Sequence, residues 1–481
     1  MQKKDREHIF LELTRSICPV CRIVIDAQIL AKDNKVFMKK RCKEHGLFES
    51  LLSSDAERYL NSYKFNKPGT MPLEFGTEIK DGCPYDCGLC PDHQQHTCVG
   101  IIEITNACNL RCPTCFASSE GHDFLDLKTV NFMLDQYIKY EGNPEVVHFS
   151  GGEPTIHPEI FDMIKLANEK KIKYVLINTN GVRISKDEEF TKKLGELGAI
   201  IYLQFDGFKK ETYEKLRGED LSQIKLKAIE NLEKYGLNIV LVPTVQRNVN
   251  EDELGKIVDF ALSRPSIKGV VFQPTFYSGR HTDFDPMDVV TLPEVIKNIS
   301  MQSIHGFRED DFIPIPCCFP TCGSATYVYM DGKEVKPLPR MVNVEDYLDY
   351  IKNTAVPDVD KVKEALQSLF SFGAVGGSEK TVNSFCTVCD LPGNLDGIES
   401  KITMIMIQPF MDPYNFDIKK LMKCCIHEIT PQGKMVPFCA FNNIPKYRAE
   451  VNEFFDSRRL IKATVKNENQ KTTKMNSIIN N

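Results

Sequence analysis

Val99-Gly-Ile-Ile-Glu-Ile-Thr105-Asn-Ala-Cys108-Asn-Leu-Arg-Cys112-Pro-Thr-Cys115 decides how this chain folds. The apolar start, Val99 to Thr105, reads as a strand that delivers its end into a cysteine loop. A [4Fe–4S] cube takes four thiolates, one per iron. The C-x3-C-x2-C spacing of Cys108, Cys112 and Cys115 offers three, so one iron keeps a corner that a small chelating molecule can occupy. Structural zinc is the competing use of such cysteines, but it wants a fourth ligand and usually pairs two C-x2-C knuckles. No such partner follows Cys115 before residue 300. About thirty-five residues after the loop, Ser150-Gly151-Gly152-Glu153-Pro-Thr155 ends a second apolar run, Glu145 to Phe149, and zinc gives no reason for it.

Working outward, strands and helices alternate. Strands are predicted at 99–105, 145–149, 173–178, 199–205, 238–245 and 268–276. Helices are predicted from Leu127 onward and at 158–171, 186–197, 209–235 and 250–263. Six strands with right-handed helical crossovers imply an α/β fold with a parallel sheet, too short to close eight strands. A partial (β/α)6 barrel over residues 99–279 fits. In such folds reactive groups gather at the carboxyl ends of the strands. There stand the cysteine loop, Gly151-Gly152-Glu153, Asn178-Thr-Asn180-Gly181, Gln204-Phe-Asp206-Gly207, Thr244 to Arg247 and Gln273 to Thr275.

The flanks carry further metal chemistry. Cys18, Cys21, Cys42 and His45 form a C-x2-C…C-x2-H set around a hairpin that turns at Asp33 to Lys35. A knuckle pair about twenty residues apart points to a tetrahedral site for a mononuclear Fe or Zn, in a rubredoxin- or zinc-ribbon-like module at 1–60. Cys83, Cys87, Cys90 and Cys98 offer four thiolates within residues 61–98, a closed auxiliary cluster. The region 280–460 reads as a C-terminal α+β extension with a second auxiliary cluster. Its expected ligands are Cys317, Cys322, Cys425 and Cys439, with Cys386 and Cys389 as the alternative. Cys425 and Cys439 flank a hairpin turning at Pro431 to Gly433. A helix is expected over much of Tyr347 to Phe372, and the polar stretch 461–481 reads as a disordered tail.

Composition bounds the rest. The chain has 481 residues, 18 cysteines and a net charge of −6. That balance gives no support to a nucleic-acid-binding surface. No apolar run reaches the length of a membrane span, and the start lacks the apolar centre of a signal peptide, so a cytoplasmic place is expected, with any membrane contact made at its surface. Without an export signal, so many cysteines are better explained by metals than by disulfides.

The triad with its Gly-Gly-Glu-Pro segment resembles the radical S-adenosylmethionine (SAM) enzymes. The resemblance implies that Cys108, Cys112 and Cys115 hold the catalytic [4Fe–4S] cluster. It also implies that Gly151, Gly152, Glu153, Asn178, Asn180 and Asp206 contact SAM, and that a 5′-deoxyadenosyl radical takes hydrogen from an unactivated carbon. The flanking motifs resemble a narrower group, the tetraether-lipid synthase family, whose members were also described as dihydropterin methyltransferases. These motifs are Cys18-Pro-Val-Cys21, Arg41-Cys42-Lys-Glu-His45-Gly46, Asp81-Gly-Cys83-Pro-Tyr-Asp-Cys87-Gly-Leu-Cys90, Phe410-Met-Asp412, Cys425-Ile-His427 and Val436-Pro-Phe-Cys439-Ala-Phe-Asn442. That group implies coupling of two lipid chains at their methyl ends, on a membrane surface. It also implies two auxiliary [4Fe–4S] clusters and a low-potential electron donor such as ferredoxin or flavodoxin. No side-chain base removes a methyl proton, which is why a radical is needed. Phe272, Phe276, Phe307, Phe312 and Phe319 are expected to line an apolar approach. C-methylation of a reduced pterin is the alternative. Peptide maturation and a non-enzymatic electron carrier carry less weight, because the C-terminal cysteines lack tight spacing and a carrier needs no Gly-Gly-Glu-Pro loop.

Overall fold

The computed structural model describes residues 7–117, 119–331, 334–340 and 402–459. The helix expected within Tyr347 to Phe372, the pair Cys386 and Cys389, and the tail at 461–481 lie outside them.

Four antiparallel strands come first: β1 (Ile9–Ile17), β2 (Val24–Lys32), β3 (Lys35–Cys42) and β4 (Gly46–Ser53). Asp33 and Asn34 hold the left-handed conformation that closes the β2–β3 hairpin, at the turn expected from sequence. Alternate residues Ala27, Ile29, Ala31, Val36 and Met38 face one side, where Tyr59 of α1 (Ala56–Ser62) seals them.

The six expected strands are present as β5 (Val99–Thr105), β6 (Val146–Gly151), β7 (Tyr174–Thr179), β8 (Ile200–Gln204), β9 (Ile239–Val242) with β10 (Thr244–Val245), and β11 (Ile267–Pro274). Pro243, with no N–H to give a ladder, interrupts the fifth. Between them run α2 (Leu127–Glu141), α3 (Ile160–Glu169), α4 (Val182–Lys186), α5 (Glu188–Glu196), α6 (Lys210–Arg217), α7 (Ser222–Lys234) and α8 (Leu254–Leu262). The long helix expected at 209–235 is two helices, because Gly218 caps α6 in the left-handed conformation. Strands β5 to β9 and β11 pair in parallel, and their apolar runs fill the core against the helices.

The C-terminal half joins this same sheet. After α9 (Leu292–Gln302) come β12 (Ile313–Pro314), β13 (Ser324–Asp331), β14 (Glu334–Pro337) and β15 (Ile402–Ile407). Strand β15 pairs in parallel with β11, and β13 pairs antiparallel with β15. At the other edge, past α10 (Ile418–Met422), β16 (Ile426–Ile429) pairs in parallel with β5, Ile426 opposite Val99. The expected hairpin is β16 with β17 (Met435–Pro437), turning at Gly433, and α11 (Phe438–Asn443) and a helix over 445–459 follow. This register sets Cys425 abreast of Cys98.

Candidate active site and metal centres

Two backbones meet at the end of β5. Gly152 N donates to Thr105 O at 2.7 Å and Glu153 N to Ala107 O at 2.8 Å, tying the Gly-Gly-Glu segment along the root of the cysteine loop. A Cβ on Gly151 would lie 2.2 Å from Thr105 O, and one on Gly152 would lie 1.9 Å from Ala107 O. Only glycine permits so close an approach. Leu110 N points at Cys108 Sγ at 3.5 Å, a donor aimed at a sulfur, and Leu110, Tyr213 and Leu221 form the apolar floor under Cys108 and Cys112.

Burial pushes the Cys108 thiol up to about 11 and raises that of Cys112, where Arg217 pulls the other way. Such thiols keep their protons until a metal displaces them. The three sulfurs, half-buried on one loop with one N–H aimed at them, suit a cubane with one unligated corner.

The side chains expected to meet SAM are mostly committed to each other. Glu153, 1% exposed, accepts from Thr155 N and Oγ1, from Thr179 Oγ1 at 2.7 Å and from Asn180 N at 2.8 Å. Its carboxylate therefore locks β6 to the loop after β7, and any contact with an amine falls to the main chain of 151–153. Asn178 bridges His148 and Ser150, and Asn180 donates to Asn109 Oδ1 at 2.7 Å, joining that loop to the cysteine loop. Asp206, fully buried, takes a two-pronged ion pair from Arg217 at 2.7 Å and an N–H from Thr244.

Arg217 and Lys225 escaped the sequence reading. Both sit on helices that look like ordinary solvated charge, and only their fully folded surroundings give them a role. Lys225 Nζ donates to Asn180 O and Gln204 Oε1, and burial brings its amine down to about 7 against the pull of Asp206.

An aromatic wall stands beside Cys115. Phe116 meets Phe276 and Phe438, and Phe410 meets Phe276 and Phe438, with centroids 4.4–6.3 Å apart. Of the phenylalanines expected to line an approach, only Phe276 belongs to this wall. Phe272 is core of β11, Phe307 and Phe312 pair with each other, and Phe319 packs on Tyr63.

The remaining cysteines sort into separate groups. Cys18, Cys21, Cys42 and His45 bring their donor atoms within 4.8 Å of one another, His45 through Nδ1 at 3.7 Å from Cys18 and 3.5 Å from Cys42. Tetrahedral zinc ligated at 2.3 Å asks for sulfurs about 3.8 Å apart. The expected set is thus assembled as a tetrahedral site.

The other two sets differ from expectation. Cys98 leaves Cys83, Cys87 and Cys90 and closes to within 4.8 Å of Cys317 and Cys425, because the pairing of β16 with β5 aligns the residues preceding both strands. Cys318 and Cys322 lie on the same loop, Cys318 within reach of Cys317, Cys322 and Cys425. Cys439 is not in that group: it lies in α11, where its sulfur accepts Met411 N. Cys83, Cys87 and Cys90 surround a small cavity together with His93. Among the described residues no helix is long and apolar enough to cross a membrane.

Two family models match parts of the chain. A radical SAM superfamily model matches residues 102–261, and a model of the HMPTM N-terminal zinc ribbon domain matches residues 10–54. The 7,8-dihydro-6-hydroxymethylpterin dimethyltransferase of Methanocaldococcus jannaschii is 35% identical over 489 residues, covering 92% of this chain and 95% of that protein. The Fe-coproporphyrin III synthase of Methanosarcina barkeri is 31% identical over 187 residues, 38% of this chain and 45% of that protein. Among solved structures, Streptococcus suis SuiB bound to the precursor peptide SuiA aligns with a TM-score of 0.37 and 18% identity, over 44% of this chain and 46% of that one. The chain belongs to the family of the Methanocaldococcus jannaschii protein, and so to the radical SAM superfamily.

Proposed function

We propose that this radical SAM enzyme forms carbon–carbon bonds at unactivated carbon, and that its substrate is a reduced pterin, which it methylates. The observation that carries this reading is the match to the pterin dimethyltransferase along almost the whole chain, ribbon and C-terminal cysteines included. The rim supports it with groups that suit a flat heterocycle: the Asn109–Asn180 amide pair, and Gln246, whose buried Oε1 has no hydrogen-bond partner among the described residues.

When bound at Cys108, Cys112 and Cys115, the cluster and SAM supply the adenosyl radical that takes a hydrogen atom. The chain's own residues do the rest. The Gly151–Glu153 backbone fixes the loop that carries the triad. Glu153, Asp206 and Arg217 hold three strand ends in one place, and preorganised geometry of this kind lowers the barrier without moving during the reaction. Phe116, Phe276, Phe410 and Phe438 keep water from the side of the triad facing Cys115, where a carbon radical needs protection. Electrons come from a low-potential donor of the ferredoxin or flavodoxin kind, and the enzyme works in the cytoplasm.

The same aromatic wall favours a second reading, the joining of two lipid chains at their methyl ends on a membrane surface, since four clustered phenylalanines also suit a hydrocarbon chain. One assay separates the two. Anaerobically reconstituted protein is given dithionite and SAM with either a reduced pterin or extracted membrane lipid, and products are read by mass spectrometry. A methylated pterin with unchanged lipid supports the first reading. Linked chains with an unmethylated pterin overturn it.

A further inference from the structure

With Cys98 drawn to Cys317 and Cys425, the Cys83–Cys87–Cys90 loop holds three thiols, and two further donor side chains line their cavity, the exposed Asp92 and the buried His93, of which the buried one is the better placed to close a cluster. The imidazole is 5% exposed. The chain turns directly after the third cysteine, His93 N donating to Cys90 O at 2.9 Å, so His93 stays beside the loop.

The hydrogen bonds around His93 fix its tautomer. Its Nε2 lies 2.9 Å from Cys424 O, and a carbonyl oxygen only accepts, so the ring proton is on Nε2. The same N–H faces Nε2 of His427 at 3.1 Å, which must then accept. That puts the proton of His427 on Nδ1, and His427 Nδ1 is buried without a partner among the described residues. His93 Nδ1 is left unprotonated, with a lone pair free to ligate. A ligating histidine characteristically donates its other ring N–H to a carbonyl, which orients the ring and strengthens the donor. His45 in the ribbon likewise presents Nδ1 to its sulfurs.

The loop itself is built to hold a fixed shape. Asp86 accepts from Lys80 N, Asp81 N and Gly82 N at 2.6–2.7 Å, and Tyr447 OH bridges Cys87 N and Pro84 O. The ribbon donors, and Cys98 with Cys317 and Cys425, are the sets that close to within 4.8 Å among the described residues; here Cys83 and Cys87 are within reach of one another, but the three sulfurs do not all close to that distance, nor do those of the Cys108–Cys115 loop. Wider spacing suits a cube, whose ligands sit on separate irons, rather than a single ion.

We infer that Cys83, Cys87, Cys90 and His93 hold an auxiliary [4Fe–4S] cluster of Cys3His type, with His93 Nδ1 on the fourth iron. This stands whichever substrate the enzyme takes. The test uses the full chain, reconstituted anaerobically with iron and sulfide, with histidine at natural abundance or labelled with 15N. Cryoreduction places one electron on each cluster, and pulsed electron–nuclear resonance reads nitrogen bound to iron. A strong histidine coupling is expected that persists in His45→Cys and vanishes in both His93→Ala and His93→Cys, the latter keeping the wild-type iron content. Persistence of the coupling in His93→Cys, or no iron-bound nitrogen on any cluster, overturns the assignment. So does loss of this cluster in Cys424→Ala or Cys439→Ala while His93→Ala retains it. SAM cleavage, measured alongside, reports on the Cys108–Cys115 loop and is expected to survive every His93 variant.

Discussion

Two loops in this molecule share the spacing C-x3-C-x2-C, Cys83–Cys90 and Cys108–Cys115, and almost nothing else. The second grows from the end of β5, is half-buried, and is held by glycines and ionic side chains: Gly151, Gly152, Glu153, the Asp206–Arg217 pair and Lys225. The first precedes the sheet, is more deeply buried, and is held by Tyr447 of the C-terminal helix and by neutral histidines. Burial brings His93 down to about 4 and holds His427 well below the usual imidazole value, so neither gains charge near neutral pH. The difference teaches that spacing selects cluster chemistry but surroundings select the role. A triad at the end of a parallel strand stands where such folds gather their reactive groups, whereas the loop tied to Arg22 and Tyr447 is enclosed.

The sharpest way to break the comparison is to remove one sulfur from each loop. Cys112→Ala is expected to abolish SAM cleavage, seen as loss of 5′-deoxyadenosine under dithionite. Cys87→Ala is expected to keep cleavage while losing iron and product formation. Equal loss of cleavage in both variants would erase the distinction between the loops.

Glycine substitutions give the next largest contrast. In Gly152→Ala the new methyl would sit 1.9 Å from Ala107 O, a backbone atom that cannot yield without moving the cysteine loop. A loss of roughly 3 kcal/mol or more is expected in denaturant unfolding, of the order seen when a core is overpacked, together with loss of the cluster. Gly82, beside Cys83, has φ +78 but open space around its Cβ position. Gly82→Ala is expected to cost only about 1 kcal/mol, the left-handed penalty alone.

Most of the fold, and the place of the Cys108–Cys115 loop at the end of β5, were legible in the sequence because they rest on local signals. Apolar runs mark β5 to β11, the ribbon knuckles fix their own spacing, and Gly-Gly-Glu announces a backbone that another strand must approach. What stayed hidden depends on pairings between distant segments. Nothing near Ile426 says that β16 will lie along β5 rather than in a domain of its own, yet that pairing alone moves Cys98 from one metal group to another. Pro243 and Gly218 were legible in principle, and the strand and helix they break were read too long because the apolar pattern continues through both. Arg217 and Lys225 carry no sequence signal beyond their charge.

Glu153 sharpens the comparison at smaller scale. Glu153→Gln replaces one of two accepting carboxylate oxygens with a donor, so Asn180 N or the threonine hydroxyls lose a charge-assisted partner. Breaking a hydrogen bond to a buried charged group costs about 1.5–3 kcal/mol. Urea unfolding is expected to fall by that amount, and SAM affinity with it, since the Asn180 loop is released. An unchanged midpoint would mean that the carboxylate does not hold the two loops together.

The remaining contrast is the pH dependence that the substrate-side loop contributes. Burial, opposed by Asp206, sets the Lys225 amine at about 7 in the folded chain, below the 10.5 of an exposed lysine. Between those values the unfolded chain binds the proton and the folded chain does not, so stability rises with pH across that window and loses the contribution below about 7. Lys225→Met removes the titration, and the unfolding free energy is expected to become flatter between pH 7 and 10. The His93–His427 pair offers no matching slope there, because both rings are neutral throughout. If Lys225→Met leaves the slope as it was while a change at His93 flattens it, the ionic loop and the neutral loop have been assigned the wrong way round.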